Sequence, residues 1–134
     1  MLIDAELMLL NKTALTATAA SKALDLGAAG EAVGNELFLR VVCVETATAD
    51  GAATLQLQLR TAAAATGEGD TLALSSPEVL LLTPAIPKAS LVAGATVLAM
   101  RLPYGVKRYF DINQVVATGP FTAGKFTAFL SSEK

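Results

Sequence analysis

The run Thr54-Leu55-Gln56-Leu57-Gln58-Leu59-Arg60-Thr61 alternates without a break between polar residues and leucine. A strand repeats every two residues, so this spacing puts the three leucines on one face and the glutamines and arginine on the other. A helix, repeating every 3.6 residues, would scatter the same leucines around its surface. The segment predicts a half-buried strand, and its leucines require a second apolar layer to cover them.

Asp50-Gly51, just upstream, is a turn pair and predicts a hairpin between residues 37–45 and 54–61. The first arm is apolar on both sides: Leu37, Leu39, Val41 and Cys43 point one way, and Phe38, Val42 and Val44 the other. Such a strand belongs in mid-sandwich or at a subunit contact. Further strands are expected over residues 70–74, 79–83, 96–102, 108–116 and 125–131, set off by glycine and proline. Many short strands punctuated in this way indicate a β-sandwich or barrel. No linker, charge run or change of composition divides the 134 residues. The expectation is one all-β antiparallel domain over residues 1–134, with residues 1–12 a candidate docking arm that adds a strand to a neighbour's edge.

Two segments compete with this pattern. Residues 13–26 hold enough alanine for a helix closed by Gly27, but repeated threonines and the lack of a large apolar stripe favour extended structure. Ser75-Ser76-Pro77-Glu78 has the spacing of a capping box. Pro84 leaves a helix there little room, so a turn into a short strand is expected instead.

Composition narrows the chemistry. The chain is 53% apolar and 16% charged, with much of the excess in alanine, as at residues 62–65. Its best uncharged stretch, residues 89–100, falls short of the roughly 20 apolar residues a spanning helix needs. No membrane span is expected, and Asp4 and Glu6 stand where a secretory leader would be basic, which predicts synthesis in the cytoplasm. Ten basic against twelve acidic residues argue against a nucleic-acid binder driven by a basic surface. So few charges leave the surface lightly solvated and predict that a partner covers part of it.

The chain has no histidine, which removes Ser-His-Asp, Cys-His and His-ligated metal chemistry. Cys43 sits at an inward position of the most apolar strand and reads as a packed thiol rather than a nucleophile. Gly67-Glu68-Gly69-Asp70 offers two carboxylates without the ligand spacing of an EF-hand loop, so a solvated hairpin tip is expected there. Asp4 and Glu6 share one side of an extended strand, with nothing around them to support glycosidase chemistry. No catalytic residue, cofactor or metal is expected. Arg101, Lys107 and Arg108, interleaved with Tyr104, Tyr109 and Phe110, form the basic cluster. Three charges are a weak footprint for nucleic acid. Capping a sheet edge or meeting an acidic patch on a protein suits them better. Phe38, Val42 and Val44 are the candidate self-association face.

A set of segments spread along the chain resembles one family. It comprises Ile3-Asp4-Ala5-Glu6-Leu7, Thr16-Ala17-Thr18-Ala19-Ala20-Ser21, Asp25-Leu26-Gly27, Gly51-Ala52-Ala53-Thr54-Leu55, Ser75-Ser76-Pro77 and Ala85-Ile86-Pro87. The last third adds Leu102-Pro103, Gly105-Val106-Lys107, Arg108-Tyr109, Val116-Ala117-Thr118-Gly119-Pro120 and Thr122-Ala123-Gly124-Lys125-Phe126. In order and spacing these are similar to the jelly-roll capsid cement (decoration) proteins of tailed bacteriophages. The resemblance implies a jelly-roll sandwich with no catalytic residues, and extended structure after Pro77. It implies a virion protein on the outer capsid surface that clamps neighbouring major capsid proteins against internal DNA pressure. It also fits a homo-oligomer, a dimer before a trimer, with neither nucleic acid nor membrane as partner. The competing readings are a tail- or fibre-associated glycan-binding sandwich, for which exposed aromatics are few, and a small hydrolase with an acidic pair.

Overall fold

A computed structural model describes residues 8–25, 38–68, 71–102 and 106–131. β5 (Thr54–Ala62) carries the expected alternation: Leu55, Leu57 and Leu59 are buried, and Gln56, Gln58 and Arg60 are half-buried on the far side. β11 (Tyr109–Ala117) runs antiparallel to it, with Ile112 opposite Leu59 and Gln114 opposite Leu57. The other edge of β5 takes β8 (Glu78–Leu82) and the short β9 (Ile86–Pro87). Beyond β11 lie β2 (Ala19–Ala20) and β3 (Leu24–Asp25). In the facing sheet, β4 (Phe38–Thr48) is flanked by β12 (Ala123–Ser131) and β10 (Thr96–Arg101), and β1 (Met8–Ala14) forms the edge outside β12.

The strand orders β1-β12-β4-β10 and β2-β11-β5-β8 interlock. Along the chain the main strands change sheet at every step except from β5 to β8. This is the double Greek key of a jelly roll, so the fold is an all-β antiparallel sandwich of that type. Inward residues of both sheets meet in one core, which holds Phe110, Phe121, Phe126, Leu39, Leu57 and Ile112. Gly124 serves this packing directly. Its φ of +140° disfavours a side chain, and a Cβ there would stand 3.2 Å from the Ala47 Cα.

The expected hairpin between β4 and β5 does not form. β4 has both edges occupied by β12 and β10, and β5 has both occupied by β11 and β8. Asp50-Gly51 lies instead in the crossover between the sheets. Buried Ala53 anchors this crossover on one side, and Lys88 Nζ, donating to the Ala49 carbonyl at 2.8 Å, anchors it on the other. An alternating pattern shows which face of a strand is buried but not which strand lies beside it.

Residues 13–25 are extended, and the hydroxyls that argued against a helix do structural work. The Thr18 hydroxyl accepts the Val116 N–H at 2.9 Å, and the Ser21 hydroxyl accepts the Ile112 N–H at 3.0 Å. They stand in for ladder bonds that β2 and β3 are too short to provide. Residues 8–12 of the candidate arm belong to β1 and its flank on β12 of the same chain, while residues 1–7 lie outside the described residues. The strand expected over 70–74 is shifted to β7 (Ala73–Ser75), which pairs with the unforeseen β6 (Ala64–Thr66) as a ribbon inserted between β5 and β8. β7 lies against β11 and β5. Ser76, with φ +52°, then turns the chain so that β8 begins at Glu78, as the turn-then-strand expectation requires.

Leu57→Ala is expected to cost about 2–5 kcal/mol, the range for emptying a buried leucine site. Gln58→Ala, one residue on, is expected to cost about 1 kcal/mol or less. Urea unfolding of the two variants checks the face assignment, and similar losses in both would contradict it.

Candidate docking surface

Alternation along β4 puts Leu39, Val41 and Cys43 in the core and leaves Phe38, Arg40, Val42 and Val44 on the outer face of that sheet. Phe38, Arg40 and Val42 are half-buried and Val44 is exposed. The register sets Arg101 opposite Phe38 and Ala99 opposite Arg40 on the β10 side, with Phe129 and Thr127 opposite Arg40 and Val42 on the β12 side. The Arg101 guanidinium lies over the Phe38 ring, 5.3 Å from its centroid. Phe38 and Arg101, selected separately from the sequence, therefore meet as a cation–π pair. Phe129 also points outward but is only 4% exposed.

The basic cluster is divided between the two sheets. Lys107 and Arg108 precede β11, and their charges are paired within the chain. Lys107 Nζ is 2.8 Å from Glu78 Oε2, and Arg108 makes a bidentate contact to Asp25 at 2.9 Å for both nitrogens. The Arg108 guanidinium also covers the Tyr109 ring at 5.1 Å, and bonding to Asp25 holds its pKa above the ordinary value. The buried Thr61 hydroxyl accepts the Lys107 N–H and donates to the Tyr109 carbonyl, both at 2.7 Å, which fixes the start of β11. Tyr104 lies outside the described residues, as do Asp4 and Glu6.

The outer face of the β5 sheet has a different character. Its side chains satisfy one another: Asn113 Nδ2 donates to Gln58 Oε1 at 3.0 Å, and Gln56 Nε2 donates to the Thr83 carbonyl at 3.0 Å. Arg60 holds Asp111 through two bonds of 2.9 and 2.7 Å. Although it points away from the core, the Asp111 side chain is 1% exposed, close to the end of the sheet that β7 lies against. Burial pushes its carboxyl above the usual range, and Arg60 opposes that shift. Among the described residues, the large exposed apolar side chains on this sheet lie at its β8 edge, where Val79 is 47% and Leu82 52% exposed.

The remaining sequence candidates have structural places. Cys43 is fully buried, its thiol donates to the Glu45 carbonyl at 3.1 Å, and burial raises its pKa. Glu68 sits at the tip of the β6–β7 ribbon, where its carbonyl accepts the Thr71 hydroxyl at 2.8 Å. A cleft of about 420 Å³ opens between β1 and β2, floored by Leu9 and Leu10 and rimmed by Asn11, Ser21 and Lys22. Lys22 is the one titratable side chain among the described residues lining it.

Sequence reasoning passed over Arg40, although the spacing that selected Phe38, Val42 and Val44 also selects position 40. The Arg60–Asp111 pair gave no such signal, because its members are 51 residues apart and meet only through the β5–β11 register.

The model of the Bbp16 family matches residues 9–130 of the chain. No curated protein matches it.

Arg60→Met would leave the Asp111 carboxyl buried without its partner and is expected to cost about 3–5 kcal/mol at neutral pH. Folding already raises this carboxyl's pKa, so the native chain holds the proton more tightly than the unfolded one. Across the window from the ordinary carboxylate range up to the raised value, stability therefore falls as pH rises. Removing Arg60 extends that window upward. The penalty in Arg60→Met should be largest at neutral pH and shrink on acidification, as read by urea unfolding at both pH values.

Proposed function

The chain belongs to the Bbp16 family, and from its jelly-roll sandwich and the surfaces that sandwich presents we propose that it is a non-enzymatic capsid cement protein. It binds the outside of an assembled phage head and bridges neighbouring major capsid proteins. The observation that carries the reading is β4, a strand in the middle of its sheet with Phe38, Val42 and Val44 on its outer side. A mid-sheet strand holds its side chains rigidly, so docking there orders little that was mobile. The resemblance of turn and strand segments along nearly the whole chain supports the same role.

A clamp of this kind works by repetition. Each contact is modest, and many copies at fixed positions on a shell turn weak contacts into a lasting hold. The protein acts as a homo-oligomer, a dimer in preference to a trimer, made in the host cytoplasm and carried on the virion surface. It needs no cofactor, nucleic acid or membrane. Both Val42–Val44 and the β8 edge with Val79 and Leu82 offer apolar area for its contacts.

Purified protein mixed with empty, expanded, undecorated heads is expected to co-sediment to saturation at a fixed ratio to the major capsid protein. Failure to bind a matched shell would overturn the reading and turn attention to glycan arrays, the test of the binding-module alternative.

A further inference from the structure

Arg40 and Arg101 are cations on one face of the β4 sheet. The ion pairs among the described residues are Arg60–Asp111, Lys107–Glu78, Arg108–Asp25 and Lys125–Glu45, and they leave both of these arginines without a carboxylate. The two are close. Arg101 is opposite Phe38 and Ala99 is opposite Arg40, so the arginines are diagonal neighbours on adjacent strands, roughly 7–8 Å apart at the backbone. Arg101 is steered over the sheet by the Phe38 ring, and Arg40 is half-buried within the row Phe38, Val42, Val44.

Two like charges side by side on this sheet face, Arg40 half-buried and Arg101 exposed, repel each other, and no described carboxylate neutralises them. A carboxylate brought from outside would meet planar forks suited to bidentate binding, in surroundings drier than bulk water. Among the described residues the same face adds Lys125 and one acidic residue, Glu45, which is already paired at 3.6 Å. A second copy docking isologously would therefore set a basic face against an identical basic face. A nucleic-acid strand would meet valine between and beyond the cations, where a regular phosphate backbone asks for a continuous track of charge.

We infer that the outer face of the β4 sheet is the docking site for an acidic, apolar-bearing segment of a protein partner, with Arg40 and Arg101 receiving its carboxylates and Val42 and Val44 its apolar side chains. This differs from the sequence expectation that Phe38, Val42 and Val44 join copies of the chain to one another. The inference rests on the cement reading only in making that partner the capsid shell. The acidic character of the partner follows from the face itself.

Two measurements separate the claims. In the first, the isotope-labelled protein is titrated with a peptide of alternating glutamate and valine, followed by NMR. Amide shifts should gather at Arg40, Ala99, Arg101 and Thr127. The Arg40→Gln/Arg101→Gln variant, checked for an unchanged fold, should bind roughly tenfold more weakly or worse, the loss expected on deleting a charge-assisted hydrogen bond. Arg101→Gln alone, at an exposed position, should show part of the loss if the double variant folds poorly. Shifts gathered elsewhere, equal binding by the variants, or equal occupancy of the face by single-stranded DNA would overturn the inference. The second measurement repeats head co-sedimentation with wild type and double variant. Wild type binding and variant failing supports both claims. Equal binding by the two sinks the docking face and leaves the cement role standing. No wild-type binding, with the peptide still seated on the arginines, sinks the cement role and leaves the docking face standing.

Discussion

The leucine face of β5 can be covered only by strands far from it in sequence, and the rest of the sandwich follows from that covering. Leu55, Leu57 and Leu59 share a core with Leu39, Val41 and Cys43 of β4 and with Phe126, Ala128 and Leu130 of β12. At roughly 25 cal/mol per Å² of apolar surface removed from water, these alternate positions dominate the favourable side of folding. The first described strand and the last are also neighbours, Met8 lying opposite Phe129, so the β4 sheet lacks its edge until the chain is nearly complete. Contacts this distant make folding slow and the folded sheets hard to deform separately. Rigidity of that kind suits a protein whose proposed work is to be held against and to hold a surface under load.

How far the fold could be read from the sequence depended on what each signal measures. The alternation of β5, the apolar run of β4 and the glycine and proline bounds of β10, β11 and β12 placed these strands to within a few residues, because burial and turn chemistry are local. Pairing is not local. Asp50-Gly51 has the chemistry of a hairpin turn, yet it serves a crossover, since β12 and β10 take both edges of β4. β6 was missed for a related reason: Ala64, Ala65 and Thr66 have no apolar alternation to reveal them. At the surface, the outward direction of Phe38, Val42 and Val44 was legible and the partners of the basic residues were not. Arg101, Lys107 and Arg108 are close in sequence, but β10 belongs to one sheet and β11 to the other, so the group divides on folding.

That division leaves two outer faces built on opposite electrostatic plans. On the β5 sheet nearly every polar group is answered from within: Arg60 by Asp111, Gln58 by Asn113, and Gln56 by the Thr83 carbonyl. Exposed pairs such as Lys107–Glu78 contribute little to stability, while the desolvated Asp111 makes Arg60 indispensable where it stands. A face with its polar groups so satisfied has little left to offer a partner except at its β8 edge. On the β4 sheet, apolar side chains are held rigidly in mid-sheet beside two guanidinium groups that no described carboxylate answers. Burying that face against an apolar surface alone would strand both charges, and burying it against a polar one alone would waste the valines. Only a partner that brings carboxylates and apolar side chains together satisfies both, which is why the chemistry of this one face constrains the partner more tightly than the fold does.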